Sequence, residues 1–205
     1  MSDHVAWRLA ARDTPLWARP NRRAGRYNHA DEDATQYLAL HPLTPWAELL
    51  RYAQITEPDG LAALRPPIWA LRVRLERPPL RLHFDTAADH GLAPEDLVAD
   101  DHAPCRRLAS ALRADPDGPR ALIVPSAALP GTDNLVLLGS RIAVAYLTEP
   151  IDDRDVPTSV IAEDGRAPAA LAAAVHHIGA AREHPALAAW REGRRLRFRE
   201  PPIVA

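Results

Sequence analysis

The sequence predicts an α+β fold: a compact mixed-sheet core with short helices, followed by a helical C-terminal extension. Three observations predict it. Strand-like runs with period-two alternation, Ile68 to Glu76 above all, are interspersed with helical patterns in the order strand, helix, then several strands. Proline is abundant (21 residues) and aromatic residues make up only 5%, which favours short elements joined by Pro-rich turns over a bundle of long helices. No Gly-x-Gly-x-x-Gly run is present, so the pattern is not that of a parallel dinucleotide-binding sheet. At 205 residues the chain is one domain, or one with an appendage. We divide it into a core over 1–150 and an extension over 151–205 packed on that core.

Val5 to Ala10 reads as the first strand, with Arg8 in its middle. Arg12 to Ala24 is a loop, and Gly25 opens a turn where a missing Cβ allows positive φ or close approach to a ligand. Tyr37 to Leu40 is a second strand. Leu43 to Ile55 is a helix, capped by Thr44 and started by Pro45. Pro58-Asp59-Gly60 is a turn. After Ile68 to Glu76, Leu80 to Phe84 resumes the alternation. A short helix falls near Pro94 to Val98 and a longer one over Cys105 to Arg113. Ala121 to Ser126, Asn134 to Leu138 and Ile142 to Leu147 are strands, with a turn at Pro130 to Asp133. Glu149 to Gly165 is a connector, Pro168 to Ala181 a helix, Glu183 to Trp190 a second helix, and Arg194 to Arg199 an edge strand.

Composition excludes several kinds of chemistry. Every basic side chain is arginine, since the sequence has no lysine. A Walker phosphate loop and Schiff-base chemistry on lysine are therefore excluded, and a phosphate must be gripped by arginine or backbone N–H groups. The net charge of −2, with both signs spread along the chain, argues against a dedicated nucleic-acid binder. The single cysteine, Cys105, forbids an internal disulfide and a multi-cysteine zinc site. We expect no resident metal and no prosthetic group. Met1 to His4 is no basic leader, and the apolar runs fall far short of the ~20 residues of a membrane span. The expectation is a soluble cytoplasmic protein.

One stretch concentrates reactive side chains. Arg26, Tyr37 and Glu48 follow one another at intervals of eleven residues. On a turn, strand, turn, helix path they can converge on one pocket able to hold a phosphorylated nucleoside and stabilise a cationic sugar. Other candidates are weaker. His176-His177, on the expected helix, point about 100° apart and share a metal poorly. His83 reads as a strand-face residue, Asp100-Asp101 as a solvated loop, the five tryptophans as core, and Arg194 to Arg199 as a solvated basic edge.

In the right order, the chain resembles the RES domain family, named for an arginine, a glutamate and a serine. The family pattern is an aromatic-Arg pair, Gly-Gly-Arg-Trp-Asn, Tyr-Leu-Ala, a glutamate at a helix start, and an apolar strand ending in Pro-Ser. Here these read Trp7-Arg8, Ala24-Gly25-Arg26-Tyr27-Asn28, Tyr37-Leu38-Ala39, Glu48 and Val124-Pro125-Ser126, with Asn134-Leu135-Val136 as the following strand. Ala24 and Tyr27 depart from the pattern. So does His102-Ala103-Pro104, which follows Asp100-Asp101 where some members carry Trp-Ser-Gly.

The resemblance covers about residues 5 to 150. It implies an ADP-ribosyltransferase-like fold and the toxin half of a toxin–antitoxin pair that destroys NAD+, by hydrolysis or by phosphorolysis with inorganic phosphate as co-substrate. Under it, Glu48 stabilises the charge on the sugar, and Arg8 and Arg26 grip the diphosphate. Tyr37 contacts the nicotinamide or its ribose, Tyr27 and Asn28 belong to the set that binds the dinucleotide, and Ser126 is a polar contact to the ligand, with Arg26, Tyr37 and Ser126 joining Glu48 as the catalytic set. The implied partners are NAD+ and a cognate antitoxin of the Xre, helix-turn-helix type; a homo-oligomer is left open. Two rival readings stand beside it: an ADP-ribosyltransferase acting on a protein, and a catalytically weak nucleotide- or partner-binding domain.

Overall fold

The computed structural model describes residues 2–10, 18–31, 34–139, 146–150 and 167–199, with the backbone alone for 146–150. Its strands are β1 (Ser2–Leu9), β2 (Thr35–Ala39), β3 (Ile68–Leu75), β4 (Leu80–Arg81), β5 (Ala121–Pro125), β6 (Asp133–Leu138) and β7 (Tyr146–Pro150). They form one mixed sheet in the order β4-β5-β6-β2-β1-β3-β7, in which only β4 and β5 run parallel. The helices are α1 (Thr44–Ala53), α2 (Pro58–Ala63), α3 (Ala103–Ala114), α4 (Leu171–Ala174) and α5 (Pro185–Arg191), with short 3-10 turns at Ala88–His90 and Pro94–Leu97. The fold is α+β, as the sequence predicts.

Side chains alternate across a sheet, so register decides which residues share a face. Trp7 lies opposite Ala39, and Ala39 opposite Asn134. Trp7, Tyr37, Ala39, Asn134 and Val136 therefore point to one face, and Arg8, Gln36, Leu38 and Leu135 to the other. The second face carries a cluster built from strand residues, among them Ala6, Leu38, Leu71, Val73, Ile123, Leu135 and Leu137. The first face is covered by helices. Leu122, Val124, Val136 and Leu138 pack with Tyr27, Leu97, Cys105, Ala109 and Leu187. Trp7 and Ile68 pack with Leu43 at the cap of α1, with Trp46, Ala47 and Leu50 of that helix and with Leu171 of α4. The C-terminal helices thus contribute to the same cores as the sheet.

Several local expectations differ from the structure. Thr44 does not cap α1; its hydroxyl meets the Thr132 hydroxyl at 3.0 Å instead, while Pro45 sits in the first turn as expected. Pro58-Asp59-Gly60 starts α2 because Leu61, 1% exposed, anchors a helical turn that the Pro-Asp-Gly triplet alone does not reveal. Of the run to Phe84 only Leu80–Arg81 forms strand, although the Leu82 N–H still reaches the Ile123 carbonyl at 2.9 Å. The helix expected over Pro168 to Ala181 stops at Ala174. Val175 is extended, and the His176 N–H goes to the Ala128 carbonyl (2.9 Å), outside the helix. Arg194 to Arg199 forms no strand; the Phe198 N–H reaches the Gly131 carbonyl at 3.1 Å, and its ring meets the His41 ring edge-on at 5.2 Å. Of the other expectations, residues 12–17 of the first loop, 142–145 of the strand expected at Ile142 and 151–165 of the connector lie outside the described residues. No helix among the described residues is long and apolar enough to cross a membrane.

Candidate active site

Helix α1 presents Glu48, Arg51 and Tyr52 at i, i+3 and i+4, on one face. Its other face is buried through Trp46, Ala47 and Leu50, so the helix cannot rotate without exposing its core contacts. Glu48 is half-buried, and one carboxylate oxygen accepts the Asn134 side-chain N–H at 2.8 Å. Asn134 stands on β6 on the same face as Tyr37, which is why β6 delivers an amide to this point. Burial pushes the Glu48 carboxyl above the ordinary carboxylate range, while the Asn134 hydrogen bond and the charges of Arg26 and Arg51 oppose that rise. Tyr52, 66% exposed, feels the Glu48 charge and stands at the open side of the group.

Arg26 arrives from the turn at Gly25. Its guanidinium donates to the carbonyls of Asp96 (3.1 Å) and Ala99 (2.7 Å), which fixes its direction. The turn itself is held by Tyr37. The Tyr37 hydroxyl accepts the Tyr27 N–H at 2.9 Å and donates to the Asn28 side-chain oxygen at 2.8 Å. The Asn28 amide donates to the carbonyls of Arg23 (2.9 Å) and His29 (2.8 Å). Gly25 is required for this packing: a Cβ there would lie 2.6 Å from both the Asn28 oxygen and the Tyr37 hydroxyl oxygen. The close approach is to protein groups, and Gly25 has no positive φ, which corrects the expectation of a left-handed conformation there. Burial drives the Tyr37 hydroxyl well above the usual tyrosine range, so it stays protonated.

The third wall comes from the C-terminal segment and the loop before α3. Arg51, with a side chain 5% exposed, pairs with Asp100 at 2.5 Å and also donates to the His176 carbonyl. The other Asp100 oxygen accepts the Gly179 N–H at 2.7 Å. Asp100 is therefore an ion-pair partner, not the solvated loop residue that the sequence suggests. His102 lies in the field of Arg26, Arg106 and Arg51. Burial first, and then those charges, lower its pKa to about 4. His176 and His184 are 9% and 4% exposed, with rings edge-to-face at 4.9 Å. Burial, aided by His176 and Arg51, lowers the His184 pKa to about 3. The His176-His177 pair, read from sequence as lying on a helix, follows α4 outside any helix or strand.

The structure thus gathers Arg26, Glu48 and Tyr37 around one point. Tyr27 and Asn28 lie directly beneath it, 1% exposed, with Tyr27 in the core cluster and Asn28 bound to the turn. Ser126, 1% exposed, accepts the N–H groups of Ala128 (3.3 Å) and Leu129 (3.1 Å) and holds the loop that carries Thr132. Arg8 is not in this group. It points to the opposite face, donates to the Gln36 side chain at 3.1 Å, and borders a separate cleft of about 230 Å³ with Arg19, Asn21 and Thr35. Arg51, Tyr52 and His184 were not among the sequence candidates, His176 and Asp100 stood there only as weaker ones, and Asn134 and His102 entered only through the family pattern. Helical spacing from Glu48 was a usable signal for Arg51 and Tyr52; the others come from distant segments that only the fold brings in. Among the described residues no cluster of His, Cys, Asp and Glu fits a metal ion.

Residues 5–159 match the RES domain family. The chain belongs to that family. The matched span contains Arg26, Tyr37, Glu48, Arg51, Asp100, His102, Ser126 and Asn134, so the RES domain supplies most of the site; His176 and His184 fall beyond it. Among solved structures, a chain of the M. tuberculosis MbcT–MbcA toxin–antitoxin complex is similar in fold. It is 21% identical, with a TM-score of 0.54, over 66% of this chain and 74% of that one. No curated protein matches the chain.

Proposed function

We propose that this RES domain cleaves the nicotinamide–ribose bond of NAD+ and passes ADP-ribose to water or inorganic phosphate. The observation that carries the reading is Glu48, a half-buried carboxylate held by Asn134 and flanked by Arg26 and Arg51. Scission of the bond leaves its electron pair on the pyridine nitrogen and positive charge on the ribose. A fixed carboxylate stabilises that charge as it develops. Arg26 spends two N–H groups on carbonyls, and its remaining donors suit a diphosphate. Water, losing a proton, or phosphate then bonds to the sugar carbon.

Family membership and likeness to a chain of a toxin–antitoxin complex support a toxin held in check by a protein antitoxin. A cytoplasmic location follows from that reading, since its substrate is a cytoplasmic metabolite. The test is incubation of the purified chain with NAD+, with and without phosphate, beside Glu48→Gln. Nicotinamide released by the parent and not by the variant is expected, and the form of the ADP-ribose product names the acceptor. NAD+ surviving beside the folded parent would sink the reading and leave the protein-directed transferase or the binding domain.

A further inference from the structure

The C-terminal segment lies outside the RES match, yet it is fastened to the site at three points. Arg51 donates to the His176 carbonyl, the Gly179 N–H donates to Asp100, and the His176 N–H donates to the Ala128 carbonyl. This fastening delivers two buried imidazoles beside the Ser126 loop. No well-formed hydrogen bond reaches either ring nitrogen of His184 or Nδ1 of His176 among the described residues, and only the Ser126 backbone lies near enough to His184 for a weak one. A buried polar group left so is costly, and a polar ligand group or water restores the balance. The His176 backbone is bonded to Arg51 and the His184 ring packs edge-to-face on the His176 ring at 4.9 Å, which sets both imidazoles beside that arginine, with the charges of Arg51 and Arg26 reaching His184.

The chemistry of that space sorts its ligands. The guanidinium groups suit anionic phosphates. An imidazole packed among cations stays neutral, and then offers one N–H donor and one bare nitrogen acceptor. A primary carboxamide is the matching partner, because its oxygen accepts and its NH2 donates. We propose that His184 and His176 complete the site by binding the carboxamide of the nicotinamide ring, an assignment that rests on the NAD+ reading above. The extension would then be a specificity element of this chain, added to the RES domain.

The test is equilibrium binding by calorimetry in a Glu48→Gln background, where turnover does not consume the ligand. NAD+, ADP-ribose and nicotinic acid adenine dinucleotide are compared on the parent, His184→Leu and His184→Asn. Loss of one or two buried hydrogen bonds predicts an NAD+ affinity about ten- to a hundredfold weaker in His184→Leu. ADP-ribose, which lacks the ring, should bind all three alike, and His184→Asn should recover part of the NAD+ affinity. The acid dinucleotide should bind the parent less well than NAD+. Imidazole nitrogen NMR of the Glu48→Gln chain with both histidines in place gives a readout free of histidine-variant folding defects: His184 and His176 signals should move with NAD+ and stay with ADP-ribose. Equal losses for NAD+ and ADP-ribose, or unmoved imidazole signals on bound NAD+, overturn the carboxamide assignment alone. If the Glu48→Gln parent binds neither NAD+ nor ADP-ribose, the NAD+ reading fails and takes this assignment with it.

Discussion

Acid should destabilise this protein through His184, and the size of the effect follows from its surroundings. The ring is 4% exposed, packs against His176, and lies in the fields of Arg51 and Arg26. Its pKa falls from 6.5 to about 3. Between those values the unfolded chain binds a proton that the folded chain refuses, so stability rises with pH in that window and is lost as pH falls below 6.5. One pKa unit is worth about 1.4 kcal/mol, so at pH 5 the loss from this ring alone is about 2 kcal/mol. For a chain of this size that is roughly 4–8 °C in melting temperature. His102 and His176 titrate in the same direction, so the wild-type curve alone does not isolate His184. The diagnostic quantity is the melting-temperature difference between wild type and His184→Leu, followed by calorimetry from pH 7 to pH 5. The variant lacks the proton-linked loss, so the difference should shift in its favour by that amount. Parallel curves would refute the argument, because they would mean that the ring titrates alike in the folded and unfolded chains.

Three further outcomes are expected. Glu48 has a raised pKa, so the folded chain binds the extra proton and stability falls as pH rises through that window. Glu48→Gln should therefore melt higher at pH 7, with the gain shrinking toward acid, while NAD+ cleavage drops by roughly 100-fold or more; a lower melting temperature at pH 7 would contradict this. Gly25→Ala should cost about 1–3 kcal/mol in urea unfolding, since its Cβ collides with Asn28 and Tyr37 at 2.6 Å. Asp100→Asn unpairs the buried Arg51 and loosens the Gly179 contact; because Asp100 is 44% exposed, about 1–2 kcal/mol is expected, read by thermal melts.

The strands and α1 were legible because their signals are local. Alternation marks Ile68 to Leu75, and Pro45 fixes the start of a helix. Arg26, Tyr37 and Glu48 were also legible, as one ordered stretch. Arg8 was legible as a residue but not as a direction: which face it takes depends on the register Trp7 opposite Ala39, and no local pattern encodes a pairing across 32 positions. The C-terminal helix was over-extended for a related reason. Its Ala-rich sequence has high helix propensity, but the His176 N–H finds the Ala128 carbonyl, and that tertiary bond ends the helix. His176 and His184 could not be assigned to the site until that bond placed them there.

The absence of lysine acquires a structural meaning once the bonds are seen together. Arg26 joins the Gly25 turn to the carbonyls of Asp96 and Ala99, and Arg106 returns a bond from α3 to the Gly25 carbonyl. Arg113 on α3 donates to the Tyr27 carbonyl and the Thr35 hydroxyl. Arg120 gathers the carbonyls of Leu112, Arg113 and Asp115, which closes the end of α3. Arg51 ties α1 to His176 and Asp100. A guanidinium can hold two acceptors in fixed directions at once, whereas an ammonium on a flexible stem directs its donors less firmly. The segments around Glu48 include turns and loops, which are ordinarily the mobile parts of a fold. Forked arginine contacts give them the rigidity that a carboxylate needs if it is to oppose a developing charge without reorganising. The residue type suited to gripping a diphosphate is thus also the one that sets the geometry of the site. Replacing Arg26 or Arg51 would disturb shape and charge together, which is why Asp100→Asn and Gly25→Ala, which leave both arginines in place, separate the two.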